Sequence, residues 1–179
     1  MQTKTRKLVN MAVLVTLAVA LMVTIQIPLF PSAPFLKYDP SDIPLLIGGF
    51  WFGPLPGLIM VFIKALLFLL IKGAEGPIGA FQNFMASGSF VFFSSLYYRN
   101  RRTKHGAITA LVLGAAAMTL IMIPTNYIIL PIWGIPKEAV AGFVFKISTP
   151  FNLVKLALSA VFTYLFYKRV KSILESLWS

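Results

Sequence analysis

Between Leu36 and Leu58 the chain reads LKYDPSDIPLLIGGFWFGPLPGL, and this stretch restricts the fold more than any other. Lys37, Asp39 and Asp42 fall within six residues, and the apolar run from Ile43 to Phe52 follows almost at once. Charges set against a segment of membrane-grade hydrophobicity need partners. Asp39-Pro40-Ser41-Asp42 predicts a turn running into a helix N-terminus, where a carboxylate accepts backbone N–H groups and meets the positive end of the dipole. Gly48, Gly49 and Gly53 predict close helix approach, and Pro54 suits the first turn of the next helix. The stretch reads as a buried part of a fold, not as a linker.

The rest of the chain sets the solvent. Hydrophobic residues make up 58% of it and the mean hydropathy is +0.84, far beyond a soluble composition, so an integral membrane protein is expected. Its 179 residues fit one domain, 1–179. The absence of cysteine excludes disulfides, Cys-ligated metals and thiol nucleophiles. After MQTKTRK, the apolar run from Leu8 to about Ile27 matches the roughly 20 residues that cross a hydrocarbon core of about 30 Å. It has no small-residue cleavage site, so it reads as a retained helix.

Pro28, Pro31 and Pro34 end that helix and open a first loop at about 28–41. Further helices are predicted at about 42–52, 55–71, 78–98, 106–130 and 150–167. The second is short, and the Gly53-Pro54-Leu55-Pro56 break also suits a re-entrant hairpin. Charge decides between them. Six spans put Lys4, Arg6, Lys7, Arg99, Arg101, Arg102, Lys104, Lys168, Arg169 and Lys171 on one side and only Lys37, Lys72, Lys137 and Lys146 on the other. By the positive-inside rule the richer side is cytoplasmic, whereas five spans would put the Arg99 to Lys104 cluster outside. The expected fold class is therefore all-α integral membrane, with six transmembrane helices, both termini cytoplasmic, in the plasma membrane. Asp39, Asp42, Glu75 and Glu138 cancel the outer lysines, and the net +11 is explained by topology and anionic membrane lipids rather than by nucleic acid.

Polar side chains at membrane depth gather toward the outer helix ends. Gln82 and Asn83 begin the fourth helix, Asn126 follows Pro124 in the fifth, and Asn152 and Lys155 follow Thr149-Pro150, read as N-cap and first residue of the sixth. All approach the first loop, which predicts one outward-facing polar pocket. Asn152, Lys155 and Ser159 share a helix face. Asn152 and Lys155 read equally as ligand groups or as an interhelical bond and a charge pair. Lys64, midway along the third helix, needs Asp39 or Asp42 and reads as a structural ion pair, with ligand contact as the other choice. Among the outer aromatics Phe30, Phe35, Tyr38, Trp133 and Phe143, which suit an interfacial belt or the stacking of a flat ring, Tyr38 and Trp133 flank the polar cluster. Ala12, Thr16 and Ala20 form a small-residue stripe for close packing within the chain or against another protein.

Several functions are excluded. There is no G-x-x-x-x-G-K-[ST], so the chain is not itself an ATPase. The single histidine, His105, lies in the basic loop after the fourth helix, so there is no His-based metal site in the membrane and no Ser-His arrangement around Ser87, Ser89 or Ser159. Asp39 and Asp42 lie outside the hydrophobic spans, which argues against an intramembrane aspartyl enzyme. A binding subunit, a small membrane enzyme acting on a lipid and a scaffold subunit are the readings left.

The run LKYDPSDIPLLIGGFWFGPLPG, with Ile63-Lys64 in the helix after it, resembles the riboflavin-specific S components of energy-coupling factor (ECF) vitamin transporters, and the resemblance extends over nearly the whole chain. It implies a non-enzymatic subunit that binds riboflavin as transported substrate, without a cofactor or metal, and works with a transmembrane coupling protein and two ABC ATPases. It implies that Asn152 and Lys155 resemble the family's flavin-contacting pair and that Ala12, Thr16 and Ala20 dock the coupling protein. An S component for another vitamin is the alternative. Riboflavin has a broad apolar face and one edge of alternating donors and acceptors. The amides of Asn126 and Asn152 match that edge, with Asn83 or Gln82 reaching ring or ribityl oxygens and Lys155 donating to the ring. With no arginine on the outer face, riboflavin is expected to bind better than its phosphate ester.

Overall fold

The computed structural model describes residues 4–31, 33, 36–71 and 76–176, the side chains of 168, 171 and 173–176 excepted. Phe35, Lys72 and Glu75 lie outside this description, as do the side chains of Lys168, Lys171 and Glu175. The described chain is nearly all helix. In order come α1 (Lys4–Thr24), short strands β1 (Ile27–Pro28) and β2 (Lys37–Tyr38), α2 (Asp42–Phe52), α3 (Pro54–Ile71), α4 (Gly76–Asn100), α5 (Lys104–Ile132), α6 (Lys137–Phe143), a π-helical turn (Val144–Ser148) and α7 (Thr149–Ser176). Among the described residues, four stretches are long and apolar enough to cross a bilayer: α1, α3, α5 and the continuous run from Lys137 to Tyr167. α2, at about 16 Å, is shorter than a bilayer core and largely buried.

α4 is the central helix, packed on α3, α5 and α2. Leu14, Ala18, Leu45, Leu46, Met60, Phe90, Val91, Met118 and Leu156 belong to one core shared by six helices. Glycine sets the spacing where α2 crosses α3. A Cβ on Gly57 would stand 3.0 Å from the Gly49 Cα and 2.9 Å from Val91, so any side chain there forces the helices apart. Gly53, expected to serve the same close approach, does not. A Cβ there would meet nothing, and its φ of 102° instead makes the turn between α2 and α3, which only glycine adopts without strain.

α1 extends to Lys4 but stops at Thr24, short of the expected Ile27, because the chain then enters an antiparallel pair joining Ile27 to Tyr38 and Pro28 to Lys37. This pair closes the base of the first loop. α1 buries Met11, Leu14, Val15, Ala18 and Met22 and leaves Ala12, Thr16 and Ala20 exposed on another face.

The largest departure from expectation follows α5. The stretch before Pro150, read as an outer loop, is helical: α6 starts behind Pro136 with Glu138 in its first turn, where a carboxylate suits the dipole. It continues without interruption into α7, which runs to Ser176 rather than ending at Tyr167. Thr149, with φ −65° and ψ −49°, is already helical and is no N-cap. Pro150 has no N–H to donate and crowds the carbonyl four residues back. The chain accommodates it by widening the preceding turn, so that the Thr149 N–H bonds the Val144 carbonyl five residues back.

Candidate functional site

Four charges meet where the start of α2 touches α3, α4 and α7. Lys64 is fully buried, with its Nζ 3.1 Å from Asp42 Oδ1, 2.9 Å from Ser41 Oγ and 3.2 Å from Ser87 Oγ. All three ammonium donors are thereby used. The Ser87 hydroxyl donates to Asp42 Oδ1 at 2.5 Å. Lys155 Nζ lies 3.6 Å from Asp39 Oδ2 and 3.5 Å from Asp42 Oδ2. Ser41 gives both its backbone N–H, at 3.1 Å, and its hydroxyl to Asp39 Oδ1. The turn thus forms as expected, with Asp39 as the carboxylate that accepts a backbone N–H, while Asp42 is turned to the lysines.

Of the two carboxylates considered for Lys64, Asp42 takes it and Asp39 pairs with Lys155 instead. The alternatives for Lys155, ligand group or charge partner, are not exclusive, since it is ion-paired and also lines a cavity. In the loop, burial pushes the Asp39 carboxyl up, but the charges of Lys155 and then Lys64 outweigh it and hold the group below its ordinary range. Two carboxylates and two ammoniums leave the buried network with no net charge.

Beside the network opens a cavity whose empty space, counted with its open mouth, is about 830 Å³. Its polar wall contains Gln82 and Asn83 of α4, Asn126 of α5, Ser148, and Asn152 and Lys155 of α7. Gln82 Nε2 donates to Asn126 Oδ1 at 3.1 Å, and Asn126 Nδ2 donates to Ser148 Oγ at 2.7 Å. Asn126 is therefore held by both ends of its amide. Asn83 Oδ1 is buried and has no hydrogen-bond partner among the described residues. Asn152 is buried, with 6% of the residue exposed. Buried amides are normally satisfied, so an acceptor left open beside a cavity is a place for a ligand donor.

The apolar wall is formed by Phe68, Met118, Met122 and Phe151, with the Phe151 ring edge-on to Phe30 at 6.4 Å. Trp133, at the C-terminal end of α5, stands at the rim. Lys37 and Gln26 meet at the mouth with Nζ to Oε1 at 3.4 Å. Such a space suits a flat apolar body with one hydrogen-bonding edge.

Six of the seven residues expected to gather here do so: Gln82, Asn83, Asn126, Trp133, Asn152 and Lys155. Tyr38 does not. It is buried against an apolar groove with Leu17, Ile43 and Phe162. Neighbouring strand residues point to opposite faces, so β2 sends Lys37 to the cavity mouth and Tyr38 the other way. Phe143 packs near Leu130 and Val140, away from the cavity. Sequence reasoning missed Ser148, Gln26, Met22, Phe68, Met118 and Met122. A spacing of four would have found half of them: Met118 and Met122 precede Asn126 on one face of α5, and Phe68 lies one turn beyond Lys64.

Comparison with known proteins places the architecture. The family described as ECF transporter, substrate-specific component, matches residues 6–167. Riboflavin transporter FmnP of Bacillus subtilis (strain 168) is 33% identical over 177 residues, covering 92% of this chain and 92% of its own length. Riboflavin transporter RibU of Staphylococcus aureus (strain TCH60) is 29% identical, covering 95% and 93%. RibU of Streptococcus thermophilus is 33% identical, covering 98% and 87%. The solved S component of a bacterial ECF transporter superposes with a TM-score of 0.82 at 31% identity, covering 96% of this chain and 99% of that one.

Proposed function

The chain belongs to the substrate-specific components of ECF transporters, and from that premise we propose that it captures riboflavin from outside the cell for ATP-driven uptake, holding it in the cavity bounded by Asn126, Asn152 and Lys155. It is a multi-pass protein of the plasma membrane and not an enzyme. The observation that carries the ligand reading is the convergence of amides from α4, α5 and α7 on one cavity with an open Asn83 acceptor. Gln82, Asn83, Asn126, Asn152 and Lys155 read as the hydrogen-bonding set for the flavin edge and ribityl chain, and Trp133 as the cap over the ring. Riboflavin is cargo here, and the chemistry needs no cofactor.

We read α1 to α5 and the continuous α6–α7 as six crossings of one domain, with both termini cytoplasmic, the short α2 crossing together with the buried turn before it. The basic residues around Arg99 to Lys104 support this orientation. Asn126 lies about 33 Å along α5 from Lys104, which opens the cavity to the outside. The partners are a transmembrane coupling protein and two ABC ATPases. Riboflavin-free protein is expected to quench flavin fluorescence on titration, and protein purified from riboflavin-fed cells to be yellow. A preparation that melts cooperatively but leaves flavin fluorescence unquenched would overturn the reading.

The exposed small residues of α1 read as the docking face for the coupling protein, because Ala12, Thr16 and Ala20 are turned away from the chain's own core. Ala12→Leu and Ala20→Leu are expected to leave riboflavin binding intact and to reduce copurification with the coupling protein, since bulk there holds the two backbones apart. Normal copurification of both variants would move the interface elsewhere.

A further inference from the structure

We propose that Asp39 is a specificity-determining residue that acts through Lys155: by cancelling the ammonium charge beside the cavity, it makes the site prefer neutral riboflavin to its anionic phosphate ester, flavin mononucleotide. The proposal rests on the riboflavin reading above. Asp42 cannot balance Lys155 alone, because its other oxygen already serves Lys64 at 3.1 Å. Asp39 is the carboxylate that brings the network to zero. Ser41 fixes its Oδ1 with a backbone N–H and a hydroxyl, and Oδ2 is the oxygen nearest Lys155, at 3.6 Å.

Asp39 also lines the cavity and is only 7% exposed, so its charge acts where water screens little. Among the described residues, the remaining charged residue of the lining, Lys37, is exposed at the mouth and is screened by solvent and salt. A phosphate entering this site meets no uncompensated buried cation and gives up hydration without replacement. Asp39→Asn retains an acceptor for Ser41 and the size of the side chain while leaving the network one positive charge in excess.

The test is a fluorescence-quenching titration of riboflavin and flavin mononucleotide against the unaltered protein, Asp39→Asn and Asp39→Glu, at low and high salt. The unaltered protein is expected to bind riboflavin more tightly than the ester. Asp39→Asn is expected to shift the ratio of the two dissociation constants toward the ester by about tenfold or more, an effect that persists at high salt because the charge is buried. Asp39→Glu, which keeps the charge, is expected to keep the original ratio. A purely structural role for Asp39 would weaken both ligands alike, and an unchanged ratio in Asp39→Asn overturns the proposal. So does an unaltered protein that fails to prefer riboflavin over the ester. Should Asp39→Asn not fold, Lys155→Met leaves the same network one negative charge in excess, and the ratio is expected to move away from the ester; an unmoved ratio overturns the proposal. If the unaltered protein does not quench riboflavin at all, it is the riboflavin reading that falls.

Discussion

Asn152→Leu is expected to raise the dissociation constant for riboflavin at least about tenfold while leaving the melting temperature of the ligand-free protein nearly unchanged. A flavin edge buried opposite leucine loses its hydrogen bonds and keeps its desolvation cost, about 1–3 kcal/mol for each unpaired group, and each 1.4 kcal/mol is about tenfold in affinity. Asn152 is buried in the cavity wall, outside both the ion network and the Gln82–Asn126–Ser148 chain, so its loss breaks neither. Lys155→Leu differs, because it leaves Asp39 and Asp42 with one lysine between them. Both affinity and thermal stability are expected to fall in that variant. A titration beside a melting curve separates the two behaviours, and unchanged affinity in Asn152→Leu would move the ligand off this wall.

Lys64→Met is expected to destabilise the protein by about 3 kcal/mol or more, enough to reduce the yield of folded protein in the membrane, because removing one partner of a buried pair strands the other. The stranded group is Asp42, only 1% exposed and also the acceptor for Ser87. Lys155 remains 3.5 Å from its second oxygen and limits the damage. Adding Asp42→Asn to Lys64→Met is expected to recover part of the loss, since no carboxylate is then left unbalanced on that side. Thermal unfolding of the two single variants and the double variant in detergent measures this coupling. A Lys64→Met protein that melts like the unaltered one would show that the pair contributes little to the fold.

The parts of this architecture that depend on local rules were legible in the sequence. α2 and the link to α3 follow from Asp-Pro-Ser-Asp and Gly-Pro, whose backbone preferences act within a few residues. The polar wall was legible because amides and a lysine at membrane depth need a reason to be there. The apolar wall was not, since Met118 and Met122 look like any other lipid-compatible residues until their position beside Asn126 is known. The pairing of charges was not legible either. Two lysines and two carboxylates allow more than one arrangement, and the choice is made by the tight crossing of α2 and α3 at Gly49 and Gly57, together with the position of α7. The helix before Pro150 was hidden for a related reason: proline was read as a start signal, whereas a wider turn carries the helix through it.

That wider turn also fixes helical phase. Val140, Val144, Ser148 and Asn152 recur every four residues and all are buried. In a regular α-helix a step of four overshoots a full turn by about 40°, so three such steps would carry the buried side about 120° around the axis. With more residues per turn, the π segment takes back part of this drift. Val140 and Val144 thus lie against Leu130 while Ser148 and Asn152 still face the cavity. Winding the same five residues, 144–148, as a regular α-helix would rotate the segment before them by tens of degrees relative to the segment after them. The number of residues in this turn, more than their identity, is what keeps the packing face and the binding face of one helix in register.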